Sequence, residues 1–483
     1  MTTVAATSGE QTRALRATDA WRWRGLAATW AAPLLKAPLL TGLLGVGLLG
    51  AGCAGEADDG PAVTYHRDIA PILDGRCVSC HTEGGIGGFS LATYEAAAAM
   101  RKPIAQRVAE GTMPPWYADP GVRTYLHDPS LTDAQKAAIA TWVELGAPEG
   151  DPKDKGAALA KVGVGLPRVD RVIKMAEAYT PTKKPDDYRC FVVDLPLDKA
   201  TYVTGFNVRP GNLSIAHHTA LFVIPPKTPI GISPIPLIEG LDKDEPGYGY
   251  TCYGGPTGSS GLPVPIQQLG QWVPGASALV FPEGTGILVE PGSKLVLQMH
   301  YFVSSTHDGE TDSTEIDLMM ADKVDHEGAF APWLNHKWVT SSLMKIEAGN
   351  ASVEHSHQDD PRDFFPNFIG GLQIEKGFRI HSAMLHEHQL GVGGEIAVHH
   401  PDGSVDMVLK MSRYDFNWQR VYELAEPVLF SPGDQLRVTC RWDNSEAHQP
   451  TIDGKRKTSA DVKWGEGTGD EMCVGNLFIS ELE

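Results

Sequence analysis

The sequence predicts a mainly β protein in which β-sandwich domains follow a small all-α domain. After about residue 150, short apolar runs alternate with turns rich in Gly, Pro, Asn and Asp, which is the pattern of a β-sandwich. The 483 residues include 52 Gly and 35 Pro, and long helical patterns are scarce in this part. The length leaves room for roughly three domains. The formal net charge of −19 argues against nucleic acid as a partner.

Residues 1–52 resemble an export signal. Basic residues precede a Gly/Leu-rich apolar run over residues 37–52. The run ends at Cys53 in a pattern similar to a bacterial lipoprotein signal, in which this cysteine is lipidated. An uncleaved membrane anchor and an ordinary secreted protein are the alternatives. We therefore expect an exported chain, periplasmic or at the cell surface, that a lipid on Cys53 anchors to a bacterial membrane.

Residues 62–150 contain the sequence Cys77-Val78-Ser79-Cys80-His81. This is the attachment sequence for a c-type haem, in which both thiols add to the porphyrin and the histidine ligates iron. A zinc site or a disulfide is the alternative for a Cys-x-x-Cys pair, but the adjacent histidine and the exported context disfavour both. The sequence therefore predicts a cytochrome c-like domain with heme c bound by Cys77, Cys80 and His81.

The second axial ligand of this haem is predicted to be Met113. It lies in a Met-Pro-Pro-Trp segment that resembles a segment found in many small bacterial cytochromes, whereas Met100 follows an Ala-rich helical run and is expected in the core.

Thr132 and Gln135 form a capping box that predicts a closing helix ending near Gly146. Residues 151–166 then read as a linker.

Eight apolar runs in the remaining chain predict strands. They span residues 190–195, 220–224, 294–303, 315–320, 394–398, 405–411, 435–442 and 474–479. His399 and His400 precede Pro-Asp-Gly at a predicted hairpin turn, and His355 and His357 lie in a predicted polar loop. We expect all four to be solvated and not to bind a metal.

Two other histidine pairs have spacings that suit a metal. In His386-Glu387-His388 the two imidazoles project from one face of a strand, although an isolated pair of this kind is more often without function. His217 and His218 are adjacent, so a regular strand would point them to opposite faces. Binding one metal with both therefore predicts a local irregularity before Thr219.

From about Asp187 onwards the chain resembles the copper type II, ascorbate-dependent monooxygenases, the family of dopamine β-monooxygenase and peptidylglycine α-hydroxylating monooxygenase. The matching pieces, in family order, are Tyr188-Arg189-Cys190, Ala216-His217-His218-Thr219, Leu297-Gln298-Met299-His300-Tyr301, Leu318-Met319-Met320, His386-Glu387-His388-Gln389-Leu390-Gly391 and Asp470-Glu471-Met472-Cys473. The resemblance implies tandem, jelly-roll-like β-sandwich domains over residues 167–327 and 328–483, with a boundary near 323–332.

The same resemblance implies two copper ions, one in each sandwich. The implied ligands of the first, electron-transfer copper are His217, His218 and His300, and those of the second, catalytic copper are His386, His388 and Met472. Neutral imidazoles suit both oxidation states of copper, and a thioether favours Cu(I), the state that meets dioxygen.

Four cysteines beyond the haem motif form an even set that suits two disulfides in an oxidising compartment. Cysteine count alone allows three connectivities. The family resemblance implies Cys190 with Cys252 and Cys440 with Cys473.

One position departs from the family in a way that bears on the substrate. Peptide-amidating members hold the substrate carboxylate with an Arg two residues before the His-x-His pair, and here that residue is Met384. Val474, Gly475 and Asn476 also shift the polar residues that complete such a clamp. These departures argue against peptidylglycine as the substrate.

The sequence thus predicts a copper-dependent monooxygenase that hydroxylates a C–H bond of a small-molecule substrate with O2. We expect electrons to pass from the haem through the first copper to the second. The expected electron donor is an ascorbate-like reductant or a redox protein, which would serve the coppers directly if the haem does not. The alternative is an exported haem and copper electron-transfer protein without oxygenase activity. A sandwich that serves only as a binding scaffold is a weaker third hypothesis.

Overall fold

The computed structural model describes residues 62–482, except for 84, 86, 162–164, 229–230, 259–265, 274–275, 277, 304–306, 342 and 453–454. The predicted export signal and Cys53 lie outside the described residues. Within the described part, every helix is too short or too polar to cross a bilayer.

The protein is mainly β, as the sequence predicts. The helices are a π-helical turn at Tyr65–Ile69, α1 Ala70–Arg76, α2 Tyr94–Ala99, α3 Arg101–Ala109, α4 Asp133–Glu144, α5 Ile235–Asp244 and α6 His336–Ser341, with short 3-10 turns at Pro361–Asp363, Phe365–Asn367 and Phe416–Trp418. The first strands are β1 Arg171–Lys174, β2 Asp186–Asp194, β3 Thr201–Arg209, β4 Ala216–Ile224, β5 Tyr250–Thr251, β6 Gln267–Trp272, β7 Leu279–Val280, β8 Thr285–Val289, β9 Lys294–Phe302 and β10 Glu315–Ala321. The later strands are β11 His326–Trp333, β12 Lys345–Ile346, β13 Val353–Asp359, β14 Phe378–His386, β15 Gly391–His399, β16 Val405–Met411, β17 Tyr422–Phe430, β18 Gln435–Trp442, β19 Thr451–Ile452, β20 Lys455–Arg456, β21 Val462–Lys463 and β22 Val474–Glu481.

Residues 62–147 form a helical region with its own apolar core, which includes Leu73 and Trp142. The predicted capping box is confirmed, because the Thr132 hydroxyl accepts from the Gln135 amide and the Gln135 side chain accepts from the Thr132 amide. Met100 joins α2 to α3 and packs against this core, as expected.

Strands β1 to β10 form a first β body of two packed layers. A five-stranded sheet in the order β5-β2-β9-β4-β6 covers the β1-β10-β3-β8 part of a nine-stranded sheet. Buried side chains from both layers, such as Phe206 and Leu297, fill the space between them. Apolar burial of this kind stabilises the fold by roughly 25 cal/mol per Å².

Strands β11 to β22 form a second β body. The four-stranded sheet β13-β18-β15-β16 covers the β11-β22-β14-β17 part of the nine-stranded sheet, with Leu385 and Val438 among the residues buried between them. Strand β11 connects the two bodies, since it pairs with β8 at His326 and with β22 from Gly328 onwards. The domain limits drawn from the sequence stay predictions.

All eight predicted strand runs lie in strands, and the predicted hairpin between β15 and β16 is present, closed by the His400 amide to the Ser404 carbonyl. The predicted polar loop at His355 and His357 is wrong, because both lie on β13. The His357 ring stacks on Trp333 of β11 at 4.7 Å. The facing sheet thus supplies the apolar contact that the polar sequence of β13 lacks.

The helical region docks on the second β body. The amides of Asp119 and Leu126 donate to the carbonyls of Lys410 and Glu423, each at 2.8 Å, and the Tyr125 hydroxyl donates to the Val408 carbonyl at 2.9 Å. These bonds hold the segment after α3 against β16 and β17. The segment therefore lies beside the loop of residues 412–421 that joins those two strands, here called the 412–421 loop.

Both predicted disulfides are present. Cys190 of β2 joins Cys252 just beyond β5, and Cys440 of β18 joins Cys473 just before β22. The second bridge fastens the start of β22 to the facing sheet, close to the predicted ligand Met472.

Candidate functional site

The first histidine cluster lies where β4 meets β9. The register of β4 against β9 shifts between Ala216 and His218, which confirms the predicted irregularity and turns both histidines of β4 toward His300. Ring nitrogens of His217, His218 and His300 all lie within 4.8 Å of one another. The His218 Nδ1 atom is 3.1 Å from Nδ1 of His217 and 3.2 Å from Nδ1 of His300.

The chemistry of this cluster fits a bound cation. Burial lowers the pKa of His217 to about 4 and holds the pKa of His218 well below its usual range, so both rings are neutral at pH 7. The His300 Nε2–H donates to Asp186 Oδ1 at 2.8 Å, which leaves Nδ1 as the nitrogen with a free lone pair. A carboxylate behind a histidine is the usual way to orient a metal ligand.

The second cluster lies at the end of β14. The rings of His386 and His388 are 5.1 Å apart and nearly perpendicular. The His386 Nδ1–H donates to the Gln419 side-chain oxygen, and the His388 Nδ1–H donates to the Asp470 carbonyl at 3.0 Å. Each ring therefore keeps Nε2 as its acceptor atom. Burial lowers the pKa of His388 to about 3, so this ring is also neutral.

Met472 lies two residues before the first residue of β22. That residue, Val474, pairs with His386 across β14 and β22, and the place of Met472 in this ligand set stays a prediction. The Met472 side chain is 8% exposed. Two imidazole nitrogens and one thioether suit Cu(I).

A buried carboxylate, Glu471, fixes the backbone around these residues. Its Oε2 accepts from the His388 amide at 2.8 Å and from Trp442 Nε1 at 2.9 Å, and its Oε1 accepts from the Leu390 amide at 2.7 Å. The neighbouring Glu387 is fully buried, and burial raises the pKa of its carboxyl well above the usual range. Sequence reasoning had given neither residue a role.

The two clusters face one another. The Phe416 ring of the 412–421 loop lies 5.9 Å from the His217 ring and 5.9 Å from the His388 ring, so one aromatic side chain contacts both. A cavity of about 60 Å³ also touches both clusters, since His217, His218 and His386 line it. Met384, which replaces the family's substrate-binding Arg, lines the same cavity.

The predicted haem motif follows α1 in the helical region. Cys77 and Cys80 are unpaired thiols, and burial raises the pKa of Cys77 to about 12. His81 Nδ1 is buried without a hydrogen-bond partner in the described part of the chain, beside the Phe89 ring at 4.5 Å. Two free thiols and an unpaired imidazole fit haem attachment. Met113 lies in the turn after α3, and its role as axial ligand stays a prediction.

Removing the Asp186 carboxylate should weaken the first site alone. In Asp186→Ala, His300 loses the partner that fixes its orientation, so we expect copper affinity at that site to fall by about 10–100-fold. Competition with a chromophoric chelator measures this. Asp194→Ala, which removes the exposed carboxylate at the other end of β2, is the control. Equal affinities in the two variants would contradict the role of Asp186.

Known proteins match part of this chain. Residues 371–479 match the family model for the copper type II ascorbate-dependent monooxygenase, C-terminal domain. Dopamine beta-hydroxylase of Canis lupus familiaris is 24% identical over 215 residues, which is 43% of this chain and 31% of that protein. DBH-like monooxygenase protein 2 of Mus musculus is 30% identical over 99 residues, 20% of this chain and 14% of that protein. The chain thus spans less than a third of the length of these curated relatives.

Among solved structures, PNGF-II in space group P21 is similar at 11% identity and a TM-score of 0.27, over 65% of this chain and 66% of that one. That likeness is too weak to indicate a fold. The sequence match is more informative, because the matched segment contains His386, His388 and Met472. Residues 371–479 are thus similar to the C-terminal domain of the copper type II ascorbate-dependent monooxygenases, a family whose members use two copper ions.

Proposed function

We propose that this chain is a copper-dependent monooxygenase that hydroxylates a C–H bond of a small substrate. One copper is held by His217, His218 and His300, and the catalytic copper by His386, His388 and Met472. The reaction converts R–H, O2, two electrons and two protons to R–OH and water. The copper ions supply the redox chemistry when bound.

The observation that carries this proposal is the shared cavity. His217 and His218 from the first β body and His386 from the second line one space together with Met384 and Phe416. A substrate in that space would meet the catalytic ligand His386, and the first cluster lies one aromatic ring away. A protein that only relayed electrons would have no need of a cavity at its second cluster.

The chain's own residues prepare this site in three ways. Burial keeps the histidines neutral, so they are ready to bind a metal without losing a proton. Asp186 and Gln419 orient His300 and His386. Glu471 holds the backbone of His388 next to Met472, which keeps the second ligand set in place.

A c-type haem on Cys77, Cys80 and His81, with Met113 as its second axial ligand, is proposed as the source of electrons. The docking of the helical region on β16 and β17 supports this, because it sets the region beside the 412–421 loop. That loop carries Phe416, which touches both clusters. An ascorbate-like reductant or a redox protein would reduce the haem, in an exported and lipid-anchored chain.

Replacing Phe416 should slow the exchange of electrons between the two clusters. Phe416→Leu keeps an apolar side chain but removes the ring that contacts His217 and His388. We expect slower reduction of the second copper in stopped-flow experiments, with an unchanged copper content. Trp418→Leu, at the other end of the same 3-10 turn, is the control. An unchanged rate in Phe416→Leu would exclude the ring as a route.

The proposal as a whole is tested by metal analysis together with oxygen consumption. We expect two coppers and one haem per chain, and product equal to oxygen consumed when the reduced protein meets a suitable substrate from a panel of phenolic, aliphatic and amidated compounds. A haem and copper electron-transfer protein would bind the metals and cycle between oxidation states without substrate-dependent oxygen uptake. A chain that binds no copper would support the third hypothesis, a sandwich that serves only as a binding scaffold.

A further inference from the structure

The cavity at the histidine clusters does not end at Met384. A second cavity of about 50 Å³ adjoins it. The residues that line both cavities are Gln271, Val273, Met384 and Gln419. The two cavities therefore lie on either side of these four residues, and the second cavity extends to Arg420 and Glu423.

The second cavity has an apolar part. Val273, Ala278, Leu279 and Val421 line it together with Met384. An apolar lining of this kind suits a hydrocarbon chain or a single ring.

The far end of the cavity is polar and contains Arg420 and Glu423. The Arg420 Nε is buried and has no hydrogen-bond partner in the described part of the chain. Its guanidinium lies over the Trp116 ring at 5.0 Å. Burial raises the pKa of Glu423 to about 7, and Arg420 offsets this only in part, so Glu423 is a weak counter-ion at neutral pH. A buried guanidinium without a full set of acceptors is costly unless a ligand supplies them.

We propose that Arg420 binds a carboxylate at this end of the cavity, and that the substrate is a small carboxylic acid whose hydrocarbon part passes Met384 to reach His386. The inference rests on the proposed function for its reaction, and on the cavity and Arg420 for its binding. Arg is the side chain best suited to this task, since its planar fork donates two parallel hydrogen bonds to a carboxylate. The clamp absent at position 384 would thus be replaced from the 412–421 loop.

A haem propionate is a second source of the same chemistry. Arg420 lies close enough to Cys80 for its charge to lower the pKa of that thiol, against the larger effect of burial. The two sources differ in what Arg420 controls. If Arg420 binds a substrate carboxylate, replacing it changes which small molecules bind. If Arg420 binds a haem propionate, replacing it changes the absorption spectrum and the reduction potential of the haem.

The test compares two probes of the same shape, 3-phenylpropanoate and 3-phenylpropanamide. Calorimetry on the copper-loaded full chain, without reductant, measures their binding in the absence of turnover. The wild-type protein should prefer the carboxylate by about tenfold or more. Arg420→Met should abolish this preference without weakening the amide, and Arg420→Lys should keep part of it. Arg413→Met, at an exposed arginine of the same loop, should behave as the wild type.

Three outcomes would overturn the inference. The wild type could bind neither probe, or both equally. Arg420→Met could keep the preference for the carboxylate. The variant could also change only the haem absorption and reduction potential, which would assign Arg420 to a haem propionate. If the preference depends on Arg420 but the reduced protein oxidises neither 3-phenylpropanoate and other small carboxylic acids nor any compound of the panel, the proposed function fails and the carboxylate site stands.

Discussion

Met472→Ala is expected to abolish oxygen-dependent product while leaving the first copper in place. Met472 lies in the segment before β22, two residues from Val474, which pairs with His386. Loss of its thioether would leave the proposed site with two imidazoles, which no longer favour Cu(I). Loss of a group that only orients a metal ligand typically costs 10–100-fold, and loss of a ligand itself should cost at least about 100-fold in turnover. Oxygen-electrode traces with product quantification measure this.

The control for this change is Met344→Ala. Met344 is a fully buried thioether in the core of the same β body, so it reports the cost of a core cavity without touching the site. Haem reduction and the copper held by His217, His218 and His300 should be unaffected in Met472→Ala. A protein that only relays electrons through the first copper would scarcely respond. Full monooxygenase activity in Met472→Ala would remove Met472 from the catalytic set.

Local sequence patterns were sufficient to predict the strands and the local geometry of the two histidine pairs. Alternation within β14 predicted that His386 and His388 share a face, and the adjacency of His217 and His218 predicted the irregularity that β4 shows before Thr219. The capping box at Thr132 was equally local. Each of these depends on the few residues around it, which the sequence presents directly.

The residues that orient and connect the ligands could not be predicted, because tertiary packing brings them there. Gln419 and Phe416 belong to the 412–421 loop, whose course is set by the turn between β16 and β17 and by the docked helical region. Asp186 reaches His300 only through the pairing of β2 with β9. The wrong prediction at His355 has the same origin, since its ring takes its apolar contacts from Trp338 of α6 and Trp442 of β18.

The 412–421 loop also offers a replacement for the charged residue that is absent at position 384. Met384 removes a charge from the cavity beside His386, and Arg420 brings one to the far end of the adjoining space. A longer distance between the charge and the catalytic ligands would admit a longer substrate. Substrate choice would then depend on how the helical region and this loop pack, and not only on the two β bodies.

Glu471→Ala should strongly destabilise the second β body. It would leave three buried donors without an acceptor, on His388, Leu390 and Trp442. Each such group costs about 1–3 kcal/mol, so we expect a loss of roughly 4 kcal/mol in the free energy of unfolding. For a body of this size that corresponds to a fall of roughly 10 °C in Tm. Calorimetry with the disulfides intact measures it.

Glu354→Ala is the matched control, because it removes an exposed carboxylate that pairs with Arg441 on the neighbouring strand. That change should cost less than about 1 kcal/mol. Glu471→Ala should also weaken copper binding at His386 and His388 while the first site keeps its affinity, since Glu471 anchors the His388 backbone. Equal unfolding temperatures for the two variants would show that the hydrogen bonds of Glu471 do not hold this ligand set in position.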